Sequence, residues 1–123
     1  MRVLVVEDDS VHRFILTTIF QKSDDQVTAA KNGREALDIL AEDQQFNIIL
    51  TDIQMPEMDG IELLSRVRSN QITSMIPVIG FTAGDVNMYR EKSATLFDAL
   101  IAKPMDFWDL HTLAKRYVEG PTN

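Results

Sequence analysis

Cysteine is absent from the 123-residue chain, which excludes disulfides, thiolate metal centres and a cysteine nucleophile. The same absence fits a reducing compartment, and a cytoplasmic location is expected. Positive charge is scarce: 12 Lys and Arg stand against 19 Asp and Glu, for a formal charge of −7. Phosphate backbones and anionic membrane surfaces need the opposite balance, so no direct nucleic-acid binding and no membrane partner is expected. Divalent cations and basic protein patches suit the charge better. Long apolar runs are missing as well. The opening run Val3-Leu4-Val5-Val6 stops at Glu7-Asp8-Asp9, too short for a signal-peptide core or a membrane span.

What is present is ordinary globular material, 45% apolar and 25% charged, in a length that suits one compact domain. Residues 1–119 are expected to form it, with 120–123 as a short tail. Short apolar runs alternate with amphipathic stretches along the whole chain. Residues 3–6 read as a strand buried on both faces. Phe14, Ile15, Ile19 and Phe20 recur at helical spacing and predict a first helix ending near Lys22. Residues 26–30 predict a second strand, and Ala36, Leu37 and Leu40 a second helix after Asn32-Gly33. A third strand is expected over 47–51, then a loop containing Pro56 and Gly60, then a helix marked by Leu63, Leu64 and Val67. Residues 77–81 predict a fourth strand, 85–93 a polar helix, and 99–102 a short fifth strand. Asp106 is a candidate N-cap for a last helix lined by Phe107, Leu110, Ala114 and Tyr117. Five strand–helix units imply an α/β fold, a parallel sheet with helices on both faces.

In open parallel sheets, ligands bind beyond the carboxyl ends of the strands. Glu7 and Asp8 follow the first expected strand, Asp52 the third, Thr82 the fourth and Lys103 the fifth. Gathered carboxylates repel one another by about 4 kcal/mol per pair at ~4 Å and an effective dielectric near 20. A hard dication relieves that repulsion, and carboxylates with a backbone carbonyl and waters suit Mg²⁺. One carboxylate can attack phosphorus to form an acyl phosphate, and Asp52, after the central buried strand, is the best placed. Lys103 offers a point charge for phosphoryl oxygens and Thr82 a hydroxyl. Each residue taken singly has a plainer reading: Glu7-Asp8-Asp9 as a helix-capping turn, Asp52 as a loop cap, Lys103 as a surface lysine, Thr82 as a strand-end hydroxyl. Their common position at one sheet edge favours the joint reading.

The same residues carry a resemblance. Leu4-Val5-Val6-Glu7-Asp8-Asp9, Asn32-Gly33-Arg34-Glu35-Ala36-Leu37, Thr51-Asp52-Ile53-Gln54-Met55-Pro56-Glu57-Met58-Asp59-Gly60, Phe81-Thr82-Ala83 and Lys103-Pro104 resemble the receiver domain of two-component response regulators, over residues 3 to about 118. The resemblance implies a flavodoxin-like doubly wound sheet of order 2-1-3-4-5. It implies Asp52 as phospho-acceptor, with Asp8, Asp52 and the Gln54 carbonyl as Mg²⁺ ligands (Mn²⁺ as a substitute) and Glu7 acting indirectly or through water. Thr82 and Lys103 match the switch hydroxyl and the phosphate-binding lysine. The implied donor is a sensor histidine kinase, a histidine phosphotransfer protein or a small phosphodonor. The output would be a downstream protein or an attached output domain. Such a module catalyses its own phosphorylation and dephosphorylation rather than turning over an external substrate.

Two departures from the family pattern bear on output. Leu100 stands where the family usually has Tyr or Phe, which removes the usual aromatic reporter. The stretch between Thr82 and Lys103 lacks the glycine the family commonly has just before the fifth strand and is slightly short, which predicts an abbreviated or poorly ordered fourth helix. Three rival readings fit less well. Aspartyl phosphatases place a second Asp two residues after the nucleophile, where this chain has Gln54. Degenerate receivers lose the acceptor, an acidic residue or the lysine, and all are present. A flavin module needs a phosphate-cradling loop after the first strand, where Glu7-Asp8-Asp9 would repel phosphate. Gln54 and Gly84, two residues after Asp52 and Thr82, occupy positions that tune acyl-phosphate hydrolysis in the family. His12 reads as a rim residue rather than a metal ligand, and His111 as a surface residue with nothing chemical beside it. Met55, Met58 and Met75 read as loop and packing residues, and Trp108 either as a partly exposed anchor for a partner or as a partly buried residue.

Overall fold

Five parallel strands form one sheet in the order β2-β1-β3-β4-β5, as a computed structural model describing residues 1–88, 97–103 and 106–120 shows. The strands are β1 (Arg2–Val6), β2 (Gln26–Ala30), β3 (Ile48–Asp52), β4 (Val78–Thr82) and β5 (Ala99–Ala102). The described helices are α1 (Ser10–Lys22), α2 (Gly33–Glu42), α3 (Gly60–Ser69) and α4 (Phe107–Glu119). Each starts at a short polar cap. Asp9, Asn32, Asp59 and Asp106 accept from backbone N–H groups of the first turns, donors that a helix cannot satisfy from within.

The alternation of side chains along the strands divides the core in two. Leu4, Val6 and Ile49 join Leu40, Leu63, Leu64 and Val67 under α2 and α3. Val3, Val5, Ile48, Leu50 and Ile79 join Leu16, Phe20, Leu110 and Ala114 under α1 and α4. Burial on both faces explains the unbroken apolar runs of β1 and β3.

Several expectations shift. Asp52 and Thr82 are the last residues of β3 and β4, one position later than the sequence pattern suggested. In α1 the buried face is Leu16, Ile19 and Phe20, whereas Phe14 is 72% exposed and Ile15 also faces solvent. On a 3.6-residue helix Phe14 lies about 200° from Leu16, so both cannot face the sheet. Tyr117 does not line the core: its ring is exposed and its hydroxyl donates to the Asp98 carbonyl, 2.7 Å away. His111 is buried rather than on the surface, with Nε2 3.0 Å from Asp25 Oδ2 and its ring edge-on to Phe20. The helix expected over 85–93, its predicted abbreviation, and Pro104 lie mostly or wholly outside the described residues; 86–88 are helical. Among the described residues, no helix is long and apolar enough to cross a membrane.

Candidate functional site

The carboxyl ends of β1 and β3 lie side by side, with Val6 paired to Thr51. Strand order reverses here, because β1 connects outward to β2 while β3 leads to β4 on the other side. A crevice therefore opens beyond these two ends. Glu7 and Asp8 leave β1 into it, and Asp52 closes β3. One carboxylate oxygen from each of the three lies within 4.8 Å of the others. Glu7 and Asp52 are buried and Asp8 is exposed, so the cluster is open to solvent on one side.

Lys103 reaches the same crevice from the end of β5. Its Nζ donates to Asp52 Oδ2 at 3.0 Å and to Glu7 Oε1 at 3.4 Å, and it sits 5.3 Å from the centre of the Phe81 ring. Its backbone N–H donates to the Thr82 carbonyl at 2.7 Å, tying the lysine to the end of β4. Burial opposes the ammonium charge, but Asp52 and then Glu7 outweigh it and hold the pKa above the ordinary lysine value. The Gln54 N–H donates to Asp52 Oδ1 at 3.1 Å, so both Asp52 oxygens have donors. Thr82 is buried, and its Oγ1 accepts from the Gly84 N–H at 2.9 Å.

Glu7 is the least comfortable group. Its side chain has no solvent exposure. Burial first, then Asp52, pushes its pKa up to about 8 against the partial relief of Lys103. Among the described residues, its Oε2 is the buried side-chain oxygen or nitrogen that lacks a hydrogen-bond partner. A buried, unpaired acceptor costs about 1–3 kcal/mol unless water or an ion completes it. Three clustered carboxyls with one orphaned oxygen form an all-oxygen donor set that suits a hard dication such as Mg²⁺.

Sequence position alone brings Glu7, Asp8, Asp52 and Lys103 to one edge, and the structure places all four together. One neighbour went unread. Arg13 Nη1 donates to the carbonyls of Glu7 and Asp8, at 2.8 and 3.4 Å. The available signal was its place on the first turn of the helix that Asp9 caps, which folds it back over the preceding acidic residues. His12, expected at the rim, has Nδ1 3.2 Å from Glu7 Oε1. Met55 and Met58 pack in the core and Met75 is exposed in its loop. Trp108 is half exposed.

An open five-stranded parallel sheet of order 2-1-3-4-5, with acidic residues and a lysine beyond its strand ends, defines a flavodoxin-like α/β protein with a polar site at its switch point. Within that class, the chain belongs to the response regulator receiver domain family, whose pattern matches residues 3–115. Among curated relatives it is 35% identical over 118 residues to "Two-component response regulator ORR5" of Oryza sativa subsp. japonica, covering 93% of this chain and 86% of that protein. It is 33% identical over 123 residues to "Sporulation initiation phosphotransferase F" of Bacillus subtilis (strain 168), covering 99% and 97%. The solved response regulator TrrA of Thermotoga maritima, in complex with Mg²⁺ and BeF, superposes with a TM-score of 0.80 at 26% identity, covering 94% and 97%. The chain is thus a receiver domain of the kind that serves phosphorylation-based two-component signalling.

Proposed function

We propose that this receiver takes a phosphoryl group on Asp52 and passes the change to a protein partner. The observation that carries the reading is the meeting of Asp52, Glu7, Asp8 and Lys103 at one strand edge, with Lys103 Nζ 3.0 Å from Asp52 Oδ2. Asp52 supplies the nucleophilic oxygen. A new oxygen–phosphorus bond forms to its carboxylate as the donor's bond to phosphorus breaks and the leaving group departs with that electron pair. With a phosphohistidine donor, the leaving group is the kinase or phosphotransfer imidazole. Lys103 turns from the free carboxylate to the phosphoryl oxygens, and the Thr82 hydroxyl hydrogen-bonds to the new group.

Asp8, Asp52 and the Gln54 carbonyl would hold Mg²⁺ (or Mn²⁺), with Glu7 acting through water. Bound there, the ion would supply charge that offsets the carboxylates and the transferring phosphoryl oxygens. The donor we favour is a sensor histidine kinase or a histidine phosphotransfer protein. Val11, Phe14 and Ile15 on α1 and Trp108 on α4 present apolar surface to solvent, which suits a protein donor better than a small molecule alone. No role in direct nucleic-acid binding is proposed.

Incubation with labelled acetyl phosphate and Mg²⁺ tests the assignment. The wild type should take up label, Asp52→Asn should fall to background, and Lys103→Ala should slow uptake by about 10²-fold. Label retained by Asp52→Asn at the wild-type level would sink the assignment of the acceptor.

A further inference from the structure

Glu7 has to present one particular oxygen in a confined space, although a glutamate side chain has three rotatable bonds to immobilise. Its backbone is secured: its N–H donates to the Ala30 carbonyl at 3.0 Å, and its carbonyl accepts from Arg13 at 2.8 Å. Its carboxyl is held from one side only. Oε1 faces Lys103 Nζ at 3.4 Å and His12 Nδ1 at 3.2 Å, while among the described residues no donor reaches Oε2. The two holds differ in kind. Lys103 is shared, lies closer to Asp52 at 3.0 Å, and is drawn to phosphoryl oxygens in the proposed reaction. His12 sits on the capped first turn of α1, where its own backbone N–H donates to Asp9 Oδ1 at 3.0 Å. Its ring packs edge-on against Phe107, 5.6 Å between centres and 68° between planes. When Glu7 is a carboxylate it can only accept, so the bond requires a hydrogen on Nδ1.

We propose that His12 is a positioning residue for the cation site: its Nδ1–H holds Oε1 of Glu7 and leaves Oε2 free to accept from the hydration shell of the bound ion. The proposal rests on the reading of the acidic cluster as a Mg²⁺ site. Outer-shell groups commonly contribute 10–100-fold to metal affinity. Because Lys103 leaves Glu7 on phosphorylation, His12 is the hold that persists through the reaction.

The test uses the intact chain with Mg²⁺ alone as the probe, comparing wild type, His12→Ala and His12→Asn at one pH. The amide nitrogen of Asn stands near the position of Nδ1 and restores the donor without the ring. His12→Ala should weaken Mg²⁺ binding by about tenfold, and His12→Asn should recover most of that loss. The half-saturating Mg²⁺ for labelling by acetyl phosphate should rise by the same factor and be restored in the same way. In the metal-free protein, the ¹³C shift of the Glu7 carboxyl should move in His12→Ala and return in His12→Asn. A His12→Ala affinity within about twofold of wild type overturns the proposal. So does an Asn variant as weak as Ala, which would assign the effect to the ring instead of the donor. Failure of the wild type to bind Mg²⁺ overturns the cation reading along with it, and is recognised because no variant is then needed to see it.

Discussion

Glu7 has a side chain with no exposed surface, a pKa raised from the usual 4.5 to about 8, and one oxygen that no donor reaches among the described residues. Folding therefore favours its protonated form. The contribution to stability is fully present below about 4.5, erodes as pH rises through the interval up to about 8, and changes no further above it. Urea unfolding of metal-free protein across that interval should show this decline, and Glu7→Gln should flatten it. An unchanged slope in the variant would mean that Glu7 ionises normally. Adding Mg²⁺ near neutral pH should release protons, because a cation selects the carboxylate. His111 and Asp25 form a second buried polar pair, Nε2 to Oδ2 at 3.0 Å, against Phe20 in the core beneath α1 and α4. No pattern in either segment linked residues 86 positions apart.

At the level of elements, the turn from β3 into α3 sets the position of Asp52. Gly60 N–H donates to the Ile53 carbonyl at 2.8 Å, and Asp59 caps the helix through Glu62 N–H. A Cβ on Gly60 would stand 2.5 Å from the Asp52 carbonyl oxygen and 2.8 Å from Ile53 Cα. Backbone cannot yield as a flexible side chain does, so Gly60→Ala should cost about 1–3 kcal/mol. It should also slow labelling of Asp52, because the acceptor's own peptide has to shift. Denaturation midpoints and acetyl phosphate kinetics on one sample measure both effects; wild-type values in each would show that the turn has slack. Leu100 shows a different adjustment. A Cβ on Gly80 would meet Phe97 at 2.8 Å and Leu100 at 3.1 Å, so the bare backbone at Gly80 makes room for Phe97 and Leu100 against β4.

Across the whole molecule, the two-faced core assembles the sheet, and the sheet in turn forces like charges together at one end. Cation binding should therefore stabilise the global fold through linkage. Mg²⁺ at about 100 times its dissociation constant adds about 2.7 kcal/mol, which raises Tm by about 10 °C for a domain of this size. Asp52→Asn should gain less from the ion, since one of the carboxylates proposed to hold it is gone. Thermal scans with and without Mg²⁺ decide this. Equal increments in both proteins would place the ion elsewhere.

Much was legible in the linear chain. Apolar runs bounded by Asp, Asn, Gly and Pro specify which segments are strands and where helices begin, because burial on two faces and N-capping are local demands on residue type. The order of Glu7, Asp8, Asp52, Thr82 and Lys103 after their strands identified the edge where polar groups collect, since parallel connections bring every strand's carboxyl end to the same side. Helical phase was less legible: Phe14 and Tyr117 fit an apolar stripe but face solvent, because the sheet covers only part of a helix. Pairings between distant segments, such as His111 with Asp25 and Lys103 with both Asp52 and Glu7, were decided by tertiary structure alone. A side chain's hydrogen bonds depend on distances of about 3 Å, and those distances exist only once packing has set one segment against another.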